Sequence, residues 1–435
     1  MTTLRRARAA RAALTAFRLL GLASLVLALT GLAFFFMVKA ILKPAPGEWA
    51  TGVRAGPVTV QVGVPSLIWL ATTPWVGPLL AGRQLPTRLG TVHLRWQAGR
   101  QMLSLQCQPC TVASGGWGGE VLHIAQAQLS VRRRGKLLDG TLSAGQVLAS
   151  WHGTLAPRSL NLQVELPLTP IREGYALFAS VIPEVEHARI DGVFGLSASM
   201  TLPDNLITLT PRVQGFAVQG LNTGALAGAR SSCGANLRKS RLGVDGPLAR
   251  AVIAAEDQRF FEHTGFDLVE LAASFALNQR TGRIERGAST LSQQLARLLV
   301  TGGERTPVRK LRELLYAVEM EQTLGKARIL SLYLDHAPWG QGLCGADAAA
   351  RHYFGVRAQE LDAGQAVWLA AMLHQPATEA SRWAATGHIN VPRAQWVASS
   401  LRPMPRRQRD ALVAHLATVS WPAPGAQAGS IRHCY

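Results

Sequence analysis

The sequence predicts an α+β multidomain chain: an N-terminal transmembrane helix, then a β-rich membrane-proximal domain, then a mainly α domain. Three observations predict it. An uncharged apolar run spans Leu19 to Val38, apolar residues recur with period two over residues 51–222, and from residue 245 the period becomes helical. At 435 residues the chain has room for two or three units, each with its own core.

The run LLGLASLVLALTGLAFFFMV at residues 19–38 is long enough to cross a bilayer core of roughly 30 Å as a helix. Residues 1–18 carry Arg5, Arg6, Arg8, Arg11 and Arg18 and no acidic residue, which places this tail in the cytoplasm and everything after Lys39 outside. No small-residue cleavage signal follows the run, so it reads as a retained anchor rather than a signal peptide. The formal charge of +19, from 45 Lys and Arg against 26 Asp and Glu, suits anionic lipid, phosphorylated substrates or nucleic acid. The absence of a zinc finger, an RNA-recognition signature or a basic zipper sets nucleic acid aside in favour of a membrane-facing protein.

Five cysteines in an oxidising compartment permit disulfides. Cys107 and Cys110, in CQPC, have redox or metal spacing, but no second pair or nearby histidine completes a zinc site. A local disulfide or two buried thiols is the better reading.

Residues 39–50, with KPAPGEW, read as a linker because two prolines and a glycine stop the helix. Over residues 51–222 the alternation is carried by Val58, Val60, Val62 and Val64, by Val92, Leu94 and Trp96, by Leu162, Val164 and Leu166, and by Phe194 through Leu202. Such alternation argues for antiparallel strands. Ile171 to Ile182 reads as an interrupting helix. The rhythm of ARIDGVFGLSASMTLP at residues 188–203 resembles β-rich envelope proteins of the AsmA type, which implies lipid handling. The residues themselves favour a spacer or a partner-binding module.

After a connector over residues 223–244, PVRKLRELLYAVEMEQTLG places Leu311, Leu314, Leu315 and Val318 on one helical face. Arg309 and Lys310 lie four and three residues before Glu313, so two cations and a carboxylate share a stretch of surface. Alone this is a solvated ion pair worth a few tenths of a kcal/mol, about 0.3–0.5. Upstream, AVIAAEDQRFFEHTGFD sets Glu256 and Asp257 among Ala254, Ala255, Phe260 and Phe261 in a chain only 16% charged. A carboxylate at the edge of such an apolar cleft is partly desolvated, which raises its pKa and suits it to proton transfer. His263 has no second histidine nearby and reads as a hydrogen-bonding brace for the loop, with Asp257 in a similar role.

Four segments, EDQRFFEHTG, GASTLSQQ, RKLRE and KARILSLYLD, in that order, resemble the glycosyltransferase domain of bacterial peptidoglycan polymerases, also found at the head of bifunctional penicillin-binding proteins. GADAAARHYFG and AVWLAAMLHQPA downstream are similar to the same family. The resemblance covers residues 245–400, leaves 401–435 as a basic C-terminal extension, and implies a mainly α, lysozyme-like domain. With no transpeptidase domain following, it implies a monofunctional polymerase. It makes Glu256 the general base and Glu313 the second catalytic glutamate. It gives substrate contacts to Asp257, Ser289, Thr290, Gln293, Gln294, Arg297, Arg309, Lys310 and Lys326, with no metal ligand among them.

The resemblance implies lipid II and the growing glycan chain as substrates at the inner membrane, with the catalytic domain periplasmic. Penicillin-binding transpeptidases and other cell-wall proteins are the expected partners, and no nucleic acid. No cofactor is required, although magnesium or another divalent ion is compatible with a pyrophosphate leaving group. Three departures from the family pattern stand out. Asp335 ends YLD where Asn is usual, Leu298 stands where Asn commonly follows the basic residue, and Ala398 replaces a Leu near the matching Arg393 and Val397. Two rivals remain: a peptidoglycan-cleaving hydrolase, and a non-enzymatic lipid-handling or scaffold protein with a degenerate transferase domain. Arg309 and Lys310 beside Glu313 favour a pyrophosphate leaving group over the first.

Overall fold

A computed structural model describes residues 29–30, 43–44 and 48–421, apart from 56–57, 88–89, 114–120, 157, 205, 230–241, 284–286, 304–305, 341 and 420. The expected cytoplasmic tail, nearly all of the transmembrane run and most of the connector therefore lie outside the described residues. Among the described residues, no helix is long and apolar enough to cross a membrane.

The period-two region folds as expected into antiparallel strands. A separate hairpin pairs β1 (Ala50–Ala55) with β2 (Val58–Gly63). Val64, expected to continue that strand, instead starts helix α1 (Val64–Ala71), because Pro65 lacks the N–H a strand ladder needs and fits the first helical turn. A short helix α2 (Gly77–Leu80) follows.

The main sheet contains β3 (Gln84–Thr87), β4 (Gly90–Gln97), β5 (Met102–Cys107), β8 (Ala127–Arg134), β9 (Leu137–Ala144), β10 (Val147–Leu155), β11 (Leu160–Pro170), β12 (Arg189–Leu202) and β13 (Leu206–Gln219). These nine strands lie in chain order across the sheet. The hairpin β6 (Cys110–Ala113) with β7 (Val121–Ile124) interrupts the order as a side excursion. A disulfide joins Cys107 to Cys110 where the chain leaves the sheet, the local bridge that the CQPC spacing allows.

One face of the sheet is buried. In β10, Ala149, Trp151, Gly153 and Leu155 alternate inward while their neighbours face solvent. Trp151, Leu155, Leu138 and Leu160 form a core that Ile68 of α1 helps to cover. The interrupting helix α3 (Ile171–Ala176) is shorter than expected, because turns occupy the residues between it and Ile182.

From residue 247 the chain is helical: α4 (Pro247–Glu256), α5 (Leu268–Thr281), α6 (Leu291–Ala296), α7 (Pro307–Thr323), α8 (Gly325–His336), α9 (Ala346–Phe354), α10 (Ala363–Met372), α11 (Pro376–Thr386), α12 (Val391–Ser400) and α13 (Arg406–Thr418). A small hairpin, β14 (Pro338–Gly340) with β15 (Leu343–Cys344), lies between α8 and α9. Helix α10 is buried along its length and forms the centre of the domain, as its nearly unbroken apolar sequence requires. Trp368 of α10 meets Trp383 edge-on, and Trp383 stacks on Tyr353 with ring centroids 4.8 Å apart.

The C-terminal extension is partly structural. Leu416 of α13 is buried in the same core, and the Trp421 ring lies 4.8 Å from Trp368.

The apolar stripe of α7 faces the β-rich domain. Leu315 and Val318 are buried with Ile171, Tyr175, Ile182, Ile190 and Val218, and Leu311 and Leu314 pack against them. Full burial of each large aliphatic side chain there contributes roughly 1.5–3 kcal/mol. Arg312 closes the junction with a two-pronged pair to Glu184, whose side chain is only 3% exposed, and Tyr316 donates to the same carboxylate. The β-rich region is therefore docked on the helical domain through a packed, hydrogen-bonded seam that covers edge strand β13.

Candidate active site

Helix α4 delivers Glu256 as its last residue and Asp257 as its C-cap, so the two carboxylates diverge. Pro247 at the start and the buried face of Leu248, Ala251, Val252 and Ala255 lock the helix against the core.

Asp257 turns inward. Its side chain accepts hydrogen bonds from His263 Nε2 at 3.0 Å and from the Leu291 backbone N–H at 2.9 Å, tying the loop to the start of α6. The Gly265 N–H and the Lys326 ammonium both point at His263 Nδ1, which assigns the proton to Nε2, facing Asp257. Gly265 sits at φ +100, and a side chain there would press on the Ala317 carbonyl of α7 at 3.0 Å; only glycine fits. Asp257 and His263 thus brace the loop, as expected.

The Glu256 side chain is nearly buried, 12% exposed. Oε2 accepts a 3.1 Å hydrogen bond from Gln294 Nε2, and Gln294 Oε1 in turn accepts from the Tyr333 hydroxyl at 3.2 Å. Oε1 accepts no hydrogen bond among the described residues; Arg393 lies 3.5 Å away. Burial raises the Glu256 pKa above the ordinary 4.5, and Asp257 adds to the rise. The Gln294 hydrogen bond and the charges of Arg393 and Arg297 oppose it without cancelling it. The cleft-edge carboxylate expected from the sequence has the shifted basicity that desolvation implies.

Helix α6 starts with a capping box. The Thr290 hydroxyl accepts from the Gln293 N–H and the Gln293 side chain accepts from the Thr290 N–H, while Thr290 Oγ1 also donates to the Gly265 carbonyl. Both side chains take part in the helix start. Ser292 donates to Glu321, which also pairs with Lys326 at 2.8 Å, and Lys326 lies over the Phe260 ring at 4.4 Å. Lys326 thus holds α8 to the Phe260 loop. Arg297 opens a π-helical turn, Arg297–Thr301, a distortion common at functional sites. Its charge acts on both Glu256 and Lys310.

The second end is built on α7, whose N-cap Thr306 and first-turn Pro307 fix its start. Glu313 is 1% exposed, and the chain's own cations take both its oxygens: Arg309 on Oε1, and Lys310 on Oε2 at 2.8 Å. Lys310 also donates to the Ser289 hydroxyl and remains 43% exposed. Burial of its stem and the nearby charges of Arg309 and Arg297 lower its pKa to about 8. Glu313 therefore pairs with two cations, as the i,i+3 and i,i+4 spacing predicts. A carboxylate so occupied is a poor ligand for a divalent ion, and among the described residues no group of His, Cys, Asp and Glu could hold a metal.

Tyr333, Arg393 and Glu321 escaped sequence reasoning as site residues. Tyr333 and Arg393 lie in segments already matched to the family, but only proximity in the fold reveals what they touch.

The arrangement thus sets a desolvated carboxylate near an ion-paired cation pair. Residues 242–402 match the family described as Transglycosylase. This segment is therefore similar to a transglycosylase domain. Within it the chain is 46% identical over 129 residues to the biosynthetic peptidoglycan transglycosylase of Nitrosospira multiformis, covering 30% of this chain and 56% of the relative. The protein of the same name from Chromobacterium violaceum is 47% identical over 129 residues, covering 30% and 57%. That of Laribacter hongkongensis is 46% identical with the same coverage. The chain spans a little over half the length of these relatives. The matched segment carries every proposed site residue, and the β-rich domain lies wholly outside it.

Proposed function

We propose that this protein is a peptidoglycan glycosyltransferase that polymerises lipid II into glycan strands. The observation that carries the reading is the pairing of Glu256, desolvated and with Oε1 accepting no hydrogen bond among the described residues, with a cationic end where Glu313 holds Arg309 and Lys310.

In the proposed reaction Glu256 takes the proton from the 4-hydroxyl of the incoming GlcNAc as that oxygen bonds to the anomeric carbon of the chain's MurNAc. The bond from that carbon to the lipid pyrophosphate breaks on the opposite face, so the configuration inverts. A positioned base contributes about 10²–10⁴-fold. The departing pyrophosphate gathers negative charge, and Lys310 and Arg309, already aimed by Glu313, stabilise it without reorganising. Magnesium suits the pyrophosphate oxygens of the substrate better than Glu313, so the step is assigned to the chain's own residues.

A lipid-linked substrate favours a membrane-anchored enzyme, which agrees with the apolar run at residues 19–38 and with a periplasmic catalytic domain working beside the inner membrane. Transpeptidases that crosslink the nascent strands are the natural partners. A glycan hydrolase has no use for a cationic pyrophosphate site, which disfavours that alternative. The test is incubation of purified full-length protein with labelled lipid II in detergent. Polymer is expected; digestion of intact sacculi without polymer would overturn the reading.

A further inference from the structure

The seam between the two domains encloses a cavity of about 780 Å³. Its walls come from both sides. Leu177, Phe178, Phe194, Val213 and Phe216 line it from the β-rich domain, and Phe266, Leu268, Leu271, Phe275 and Leu311 from the helical domain. Three of its polar neighbours are spent elsewhere: Asp267 caps α5 and pairs with Arg259, Ser274 bonds Glu270 and the Gly287 carbonyl, and Gln293 is held in the capping box. At one end Ser289 and Lys310 supply a hydroxyl and a part-exposed cation.

The cavity thus has the form of an amphiphile site, apolar along its length and cationic at one end. Its lining stays apolar where it meets solvent: Leu271, which lines it, is 49% exposed. An occupant entering past this side chain comes more readily from a lipid phase than from water.

We propose that the β-rich domain is part of the substrate site: it forms one wall of a cavity that holds the proximal isoprenoid units of the lipid donor, with the pyrophosphate at Lys310 and Ser289. The proposal rests on the glycosyltransferase reading and adds a role for residues that the family match does not reach. The docked seam fits this role. Glu184, Arg312 and Tyr316 hold the two walls in register, so the cavity exists only while the domains are joined.

Two variants of the full-length protein test it. Val213→Trp fills the cavity from β13, and Leu177→Asn keeps the wall's volume while making it polar. Turnover is compared for lipid II carrying the full polyprenyl chain and for an analogue with a short prenyl chain. The expected result is that the ratio of KM for the long-chain donor to KM for the short-chain donor rises at least about tenfold in either folded variant. An unchanged ratio in both would overturn the proposal and leave the proposed reaction standing.

Binding of radiolabelled undecaprenyl pyrophosphate to wild type and variants gives a second readout that needs no turnover. Binding by wild type, weakened about tenfold by either substitution, supports the cavity even if the protein makes no polymer. Equal binding by all three proteins, or equal competition by a phosphatidic acid of matched charge, would overturn it.

Discussion

Gln294 donates to Glu256 Oε2 at 3.1 Å while its own carbonyl accepts from the Tyr333 hydroxyl at 3.2 Å. The tyrosine, a donor only in this contact, fixes which end of the amide faces the carboxylate. One oxygen of Glu256 is held by Gln294, and the other, buried, lies 3.5 Å from Arg393 and accepts no hydrogen bond among the described residues. Tyr333 is therefore a positioning residue for Glu256, the proposed base, and its hydroxyl stays protonated because burial raises its pKa.

Tyr333→Phe removes the group that orients Gln294. Loss of one such hydrogen bond costs about 1 kcal/mol, or roughly fivefold in rate. A kcat about fivefold lower with KM little changed is expected from steady-state assays with lipid II. An unchanged kcat would remove Tyr333 from the site.

The pH profile is expected to be bell-shaped. The base works only when ionised, and the Glu256 pKa is raised above 4.5, so activity rises with pH through that shifted value. Lys310 must be charged, and its pKa is lowered to about 8, so activity falls above about pH 8. Lys310→Arg, whose guanidinium stays charged, should keep measurable activity and move the alkaline limb upward. A limb that stays in place would assign it to another group.

Arg393 lies 3.5 Å from Glu256 and donates to the Ala255 carbonyl at 2.8 Å. Its charge opposes the rise in the Glu256 pKa. Arg393→Gln removes that opposition, so the acid limb should shift to higher pH, and loss of the Ala255 contact should cost about 1 kcal/mol of stability. Activity measured across acidic pH, with thermal unfolding alongside, checks both.

The domain seam depends on Glu184. Burial alone would raise its pKa, but the Arg312 hydrogen bonds and charge outweigh it, with Tyr316 assisting, and hold the value below 4.5. A depressed carboxylate stabilises the fold above its unfolded value and loses that contribution as pH falls through its folded value. The seam should therefore loosen only below about pH 4.5. At neutral pH Arg312→Ala, which leaves the buried carboxylate unpaired, should cost roughly 3 kcal/mol. Calorimetry should show the unfolding transition broaden or split as the domains uncouple; a single, unshifted transition would contradict the role of the pair.

Much of this was legible in the sequence because it is local. The change from period two to a helical period separates the strand-rich region from the helical one, and the spacing of Arg309, Lys310 and Glu313 places them together on α7. What was not legible is long-range. The apolar stripe from Leu311 to Val318 announced a partner surface, but its cover comes from residues far earlier in the chain, Arg312 and Glu184 being 128 apart. Thr290 and Gln293 carry the residue types of both a sugar contact and a capping box, and only geometry separates the two. Val64 was misassigned because a run of alternating valines hides the helix start that Pro65 imposes.

The most direct measurement is polymerisation of labelled lipid II by Glu256→Gln beside wild type at neutral pH. The substitution keeps the shape of the side chain and removes the base. The account expects polymer formation to fall at least about 100-fold with little change in Tm. Near-normal polymer from Glu256→Gln, with activity lost instead in an equally stable Asp257→Asn, would contradict the central claim that Glu256 is the base and Asp257 its brace.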